Sequence, residues 1–210
     1  MPRSRSRSPE SPIAPAPRLI LATLNRAKGR ELLELLGELP YDVRLLADTP
    51  GASLPEETGT TYHENALIKA RAAMLATGAT ALGDDSGIEV DALAGGPGLH
   101  SARWGGPELD DDGRNALLLE RLRGVPAERR TARYRCVIAI VEPGGREQVV
   151  EGAVEGRITE APEGTGGFGY DPLFFYPPFG CTFGVASAAD KHRVSHRGVA
   201  ARSARALLTG

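Results

Sequence analysis

Cysteine is scarce in this chain, with only Cys136 and Cys181 among 210 residues. Two cysteines so far apart show no metal-ligand spacing and provide no disulfide framework, which fits a reducing, cytoplasmic compartment. Long apolar runs are missing as well. None approaches the roughly 18–20 residues of a membrane span, and no secretory core follows the start, so no membrane partner is expected. Charge of one sign is also missing: 25 Lys and Arg face 27 Asp and Glu, a formal balance of −2. That balance gives no bulk electrostatic case for a nucleic-acid partner. Finally, the chain has no Gly-rich run ending in Gly-Lys-Ser/Thr, which excludes a Walker-type phosphate loop.

What is present suits one domain with a substantial core, 41% hydrophobic and 25% charged. Residues 1–17 are rich in Arg, Ser and Pro and have almost nothing to bury, so a disordered tail is expected there. Arg3, Arg5 and Arg7 would be its one nucleic-acid-binding feature. The folded domain is expected over 18–210. Arg18–Ala22 reads as a buried strand, and Leu32, Leu33, Leu35, Leu36 and Leu39 follow at helical spacing. Between them, Thr23-Leu24-Asn25-Arg26-Ala27-Lys28 forms a polar loop at a helix N-terminus, where free N–H groups and the helix dipole favour an anion. Lys28 in the first turn opposes that dipole unless an anionic ligand meets it. Thr23 or Asn25 as a plain cap is the simpler reading.

Tyr41–Ala47 reads as a second strand, and Thr61 with Glu64 forms a capping box for a helix over Thr61–Thr77 that carries Lys69. Asp110–Arg123 reads as an amphipathic helix. Thr131–Val141 alternates cleanly, and Pro143-Gly144-Gly145 turns it into a strand from Gln148 to Ile158, a hairpin. A glycine-rich loop with interleaved aromatics, Gly164 to Pro172, allows close backbone approach and base stacking. A last helix is expected over Val199–Leu208, capped by Ser195.

The central stretch is Ala81-Leu82-Gly83-Asp84-Asp85-Ser86-Gly87. Asp, Ser and Gly all favour turns, so a turn is expected at Asp84–Gly87. Two carboxylates at the end of a buried strand are also costly unless something charged meets them, and a hard cation such as Mg2+ answers that need.

Six ordered motifs then add up. They are Thr23-x-Asn25-x-x-Lys28, Glu64-Asn65-Ala66-x-x-Lys69, Asp84-Asp85-Ser86-Gly87, Gly95-x-Pro97-Gly98 with Ser101-Ala102-Arg103, Gly167-Phe168-Gly169-Tyr170-Asp171-Pro172, and Ser195-His196-Arg197. This set resembles the inosine triphosphate pyrophosphatase family over residues 18–208. The resemblance implies an α/β fold: an elongated, curved mixed sheet flanked by helices, two lobes with a cleft between them, and a homodimer. It implies Mg2+-dependent hydrolysis of dITP, ITP and XTP to the monophosphate and pyrophosphate. It assigns Thr23, Leu24, Asn25, Arg26, Ala27, Lys28, Lys69, Ser86, Phe168, Gly169, Tyr170, Asp171, Lys191, His196 and Arg197 to the nucleotide. Glu56 and Asp85 fall to the metal, and Asp85 also to the general base. Arg197 or a backbone N–H of the Phe168 loop is expected to pair with the 6-keto group of the base.

Overall fold

The computed structural model describes residues 15–210. Most of the expected tail, including Arg3, Arg5 and Arg7, therefore lies outside the described residues. Pro15–Pro17 are exposed, and the Pro17 carbonyl accepts from the Asp42 N–H at 2.8 Å, so the last tail residue is already tied to the sheet.

Among the described residues, seven strands form one mixed sheet: β1 (Arg18–Leu21), β2 (Asp42–Leu45), β3 (Thr80–Val90), β4 (Thr131–Val141), β5 (Glu147–Ile158), β6 (Phe174–Tyr176) and β7 (Cys181–Thr182). Their spatial order is β2-β1-β3-β4-β5-β6-β7. β1 runs parallel to β2 and β3, whereas β3 to β7 pair antiparallel in succession. The α/β class and the expected hairpin are both present. Second-strand pairing stops at Leu45, because Leu46–Asp48 close into a 3-10 turn.

Among the described residues, five helices flank the sheet: α1 (Arg26–Leu36), α2 (Tyr62–Thr77), α3 (Asp111–Arg121), α4 (Ala188–Val194) and α5 (His196–Thr209). α5 starts three residues before the expected Val199, directly after its Ser195 cap. Strand alternation divides the core between the two faces. Cys136, Ile138 and Ile140 on one face of β4 pack with Leu32 and Leu36 of α1 and Ala200, Ala201 and Ala204 of α5. Val137, Ala139 and Val141 on the other face pack with Ala66, Leu67 and Ala70 of α2. Each fully buried leucine among them is worth about 1.5–3 kcal/mol relative to exposure. The Thr61–Glu64 capping box that starts α2 forms as expected.

A third cluster sits at the far end of the central strands, on the same face as α1 and α5. Ile88, Val90, Ala132, Tyr134 and Val154 meet Leu118 and Leu122 of α3 and the aromatic Phe174 and Phe183. Two lobes thus share one sheet face, and the groove between them crosses the middle of β3.

Candidate active site

Asp84, Asp85 and Ser86 lie within an unbroken eleven-residue strand, not in the expected turn. They pair with Ile138, Val137 and Cys136 of β4. The flanking glycines serve close approach instead of reversal. A Cβ on Gly83 would fall 2.5 Å from the Ala66 carbonyl oxygen and 2.7 Å from the Ala70 nitrogen, so glycine lets α2 lie directly on the strand. A Cβ on Gly87 would overlap the Gly98 carbonyl and approach the Tyr62 hydroxyl to 2.7 Å. Pairing of β1 with β3 ends at Leu21 and Leu82, apart from one bond from the Ala22 N–H to the Leu82 carbonyl. Past that point β3 has β4 on one edge, and the other edge carries no strand until the Gly96–Ser101 loop takes the Ile88 and Val90 N–H groups. This is the end of the parallel strands where open α/β sheets bind ligands.

Alternation sends the two carboxylates to opposite faces. Asp85 points toward α2, where Asn65 Nδ2 donates to its Oδ2 at 3.1 Å and Lys69 Nζ to its Oδ1 at 3.3 Å. Lys69 also donates to Glu57 Oε1 at 2.8 Å, and Arg103 Nη1 to Glu57 Oε2 at 3.0 Å. Burial raises the Asp85 carboxyl above its ordinary value; Lys69 pulls it down and Glu57 pushes it further up. Burial also works on Glu57, but Lys69 and Arg103 overcome it and hold that carboxyl low. A proton entering this pair therefore settles on Asp85. Burial disfavours the Lys69 ammonium, yet Asp84, Asp85 and Glu57 keep it charged.

Glu56 is exposed and makes no side-chain hydrogen bond or ion pair among the described residues, whereas its neighbour Glu57 faces Asp85 across Lys69. Among the described residues, no group of three or more His, Cys, Asp or Glu is arranged to hold a metal ion. Two carboxylates still fit Mg2+, a hard cation that keeps several waters and takes substrate phosphates as further ligands. The buried Lys69 ammonium between them shows that the spot accepts positive charge.

Asp84 and Ser86 face α1 and α5, where a buried ion network gathers. Arg197 is 2% exposed; its Nη1 donates to Glu31 Oε2 at 2.5 Å and its Nη2 to Ser86 Oγ at 2.8 Å, while its Nε lies 3.6 Å from Asp84 Oδ2. Lys191 donates to Asp171 Oδ2 at 2.6 Å and lies 3.6 Å from Glu31 Oε1. Asp171 Oδ2 also accepts from the Phe168 N–H at 2.8 Å, tying the aromatic loop to the network. Lys191 Nζ is 4.8 Å and the Arg197 guanidinium carbon 5.5 Å from the centre of the Phe168 ring, within cation–π range. Burial pushes the Asp84 carboxyl up, but Lys28, Arg197 and Lys69 together hold it below the ordinary value. His196 stacks on Tyr134 with ring centres 4.6 Å apart. Burial, with Arg197, Lys191 and Lys28, keeps its imidazole neutral far below the usual range.

The N-terminal loop closes the groove from the β1 side. Asn25 caps α1, its side chain accepting from the Ala27 and Lys28 N–H groups at 2.9 and 3.1 Å. Asn25, Ala27 and Lys28 line a cavity of about 250 Å³ together with Ser86, Phe168, Gly169, Tyr170, Asp171, Lys191, His196 and Arg197. Three members of the expected nucleotide loop take other roles. Thr23 is buried and accepts from the Asn25 N–H, Leu24 is exposed, and Arg26 reaches back to Asp48 at 2.6 Å. Lys69 stands on the α2 face beside Asp85 rather than on this cavity wall. Arg197, expected to read the base, has both terminal nitrogens committed to Glu31 and Ser86. The Phe168 and Gly169 N–H groups are likewise taken, by Asp171 and Asp111.

Several side chains at the site escaped the sequence reading. Glu31 resembled one more polar residue of an amphipathic helix, but its position three residues after Lys28 turns it inward. Asn65 had a signal, standing beside Glu64 in a quoted motif. Arg103 also stood in one, and its bond to Glu57 is visible only in three dimensions.

Comparison with known proteins places these features in context. A sequence model described as the Ham1 family matches residues 19–207. The chain is 50% identical over 191 residues to a protein of Desulforamulus reducens called dITP/XTP pyrophosphatase, covering 91% of this chain and 95% of that one. It is 54% identical over 181 residues to the protein of the same name from Symbiobacterium thermophilum, covering 86% and 89%. A solved HAM1 protein from Coxiella burnetii superposes with a TM-score of 0.83 at 37% identity, covering 91% of this chain and 98% of the other.

Proposed function

The chain belongs to the Ham1 family, and from that premise we propose that it hydrolyses dITP, ITP and XTP to the nucleoside monophosphate and pyrophosphate. The observation that carries this reading is one cavity in which the Phe168 ring stands beside Lys28, Lys191 and Arg197, at the stretch of β3 that also bears buried Asp85. An aromatic ring suits a base, the cations suit a triphosphate, and the carboxylate suits an attacking water.

In this mechanism Asp85 takes a proton from water at a carboxylate oxygen. The water oxygen forms a bond to the α-phosphorus, the bond from that phosphorus to the bridging oxygen breaks, and pyrophosphate leaves. The raised Asp85 pKa brings the base closer to working pH, where general bases are most effective. Glu57 and Asp85 would hold Mg2+, which supplies charge neutralisation to the phosphate oxygens. Lys69 keeps Asp85 oriented through its 3.3 Å contact, and Lys28 offsets the charge of the leaving group.

Base choice follows from donors and acceptors. Lys191 has three N–H donors, so it retains capacity toward the cavity after meeting Asp171. His196 Nδ1 is buried without a partner. A 6-keto purine offers an acceptor at position 6, which Lys191 would meet, and a donor at N1, which the neutral His196 would meet. Adenine reverses both, and unpaired polar groups in a closed pocket cost about 10^4-fold in selectivity.

The remaining expectations are a cytoplasmic homodimer. Among the described residues no helix is long and apolar enough to cross a membrane. The dimer rests on the resemblance and is tested by light scattering, where a monomeric mass would reject it. The reaction itself is tested by incubating the protein with Mg2+ and dITP: one pyrophosphate per dIMP supports the reading, and stepwise phosphate release rejects it.

A further inference from the structure

The aromatic loop that this reading assigns to the base is gripped from outside by one helix. Gly169 has a φ of +62°, and a Cβ there would meet nothing within 4 Å, so the backbone conformation, not crowding, calls for glycine. Its N–H donates to Asp111 Oδ2 at 2.7 Å, and its carbonyl accepts from Asn115 Nδ2 at 3.0 Å. Asp111 and Asn115 stand one turn apart on α3, and residues at that spacing share a helix face. Both backbone groups of a single loop residue are thus held by one rigid element.

α3 is itself fixed. Asp110 caps it, and Leu118 is fully buried in the second-lobe core. Asn115 is 4% exposed, and its Oδ1 has no partner, so its donated bond to Gly169 is what engages it. The other oxygen of Asp111 takes Arg114 Nη2 at 3.0 Å, and both of these residues line the same cavity as Phe168.

We propose that Asp111 and Asn115 are positioning residues for base discrimination, holding Phe168–Asp171 at the spacing that accepts a 6-keto purine. This rests on the nucleotide pyrophosphatase reading. Phe168 and Asp171 flank the gripped glycine, and Asp171 in turn holds Lys191, so loosening Gly169 loosens the group that reads the base. The phosphate-side residues on β3, α1 and α2 stay where they are.

The test compares Asn115→Leu and Asp111→Ala with the unaltered protein on dITP, dGTP and dATP, alongside amide hydrogen exchange of residues 164–172. Expected is a KM for dITP raised about fivefold to tenfold in Asn115→Leu, the weight of one neutral hydrogen bond, and at least as much in Asp111→Ala, which loses a charge-assisted one. A kcat within about twofold, a lower dITP-to-dATP ratio of kcat/KM and faster exchange in the loop should accompany it. Equal losses for all three nucleotides with an unchanged ratio, or unchanged loop exchange, overturn the proposal. Asp111 is half-exposed at the first helical position, so its variant carries the test should Asn115→Leu fail to fold. Absence of dITP turnover in the unaltered protein would instead reject the functional reading. Loop exchange would then still decide whether α3 holds Gly169.

Discussion

Replacing Arg197 with Met keeps a long buried side chain and removes the guanidinium N–H groups that face Glu31, Ser86 and Asp84. The variant leaves two carboxylates inside the protein, Asp84 at 3% exposure and Glu31 at 9%, without their shared cation. Breaking one partner out of a buried ion pair costs about 3–5 kcal/mol, because the remaining charge stays desolvated. At about 2–4 °C per kcal/mol for a domain of this size, the melting temperature should fall by about 6–20 °C. The loss should shrink in acid, and the sign follows from Asp84. In the intact protein its carboxyl is held low, so it contributes stability above the unfolded value that disappears as pH falls through the folded one. In the variant that carboxyl rises, and protonating it as pH falls relieves the burial penalty. The assay is thermal and urea unfolding at pH 7 and pH 5, with the double variant Glu31→Gln/Arg197→Met closing a cycle. The double variant should recover part of the loss. A melting point within about 2 °C of the intact protein, or additive single losses, would refute the network as described.

Gly83→Ala should destabilise by about 1–3 kcal/mol or more, because the new methyl meets the α2 backbone, which cannot rotate away; urea unfolding within 0.5 kcal/mol of the parent would contradict the close approach. Burial and three nearby cations keep His196 neutral, so between about pH 6.5 and its lowered value it should remove about 1.4 kcal/mol of stability per unit of acidification. His196→Phe should flatten that slope, and an unchanged slope would contradict the assignment. Lys69→Met removes the cation that lowers Asp85, so in carboxyl carbon NMR Asp85 should titrate at higher pH than in the parent; a downward move would contradict the geometry.

Most of the architecture is legible in the chain because period-two alternation in Thr131–Val141 and capping chemistry at Thr61 and Glu64 act locally. The turn expected at Asp84–Gly87 failed for a physical reason. Glycine there permits α2 and the Gly98 loop to touch the strand, a long-range need that local turn preference cannot reveal. The choice between Glu56 and Glu57 is not legible for a similar reason. Loop residues carry no periodicity, and only Lys69 and Arg103, arriving from α2 and from the loop beyond β3, distinguish them. Arg197 lines the cavity, but a role as base reader competes with Glu31, whose inward orientation depends on α1 and α5 packing together. Residues that bond to their own neighbours were readable; those whose partner lies across the sheet were not.

The central claim is that Asp85 activates water for attack on the α-phosphorus of a 6-keto purine triphosphate. Hydrolysis of dITP in oxygen-18 water, with Mg2+, by the parent and by Asp85→Asn, tests it directly. The account predicts the label in dIMP and not in pyrophosphate, with turnover lost in a variant that still folds. Label in pyrophosphate, or near-parental turnover by Asp85→Asn, would contradict it.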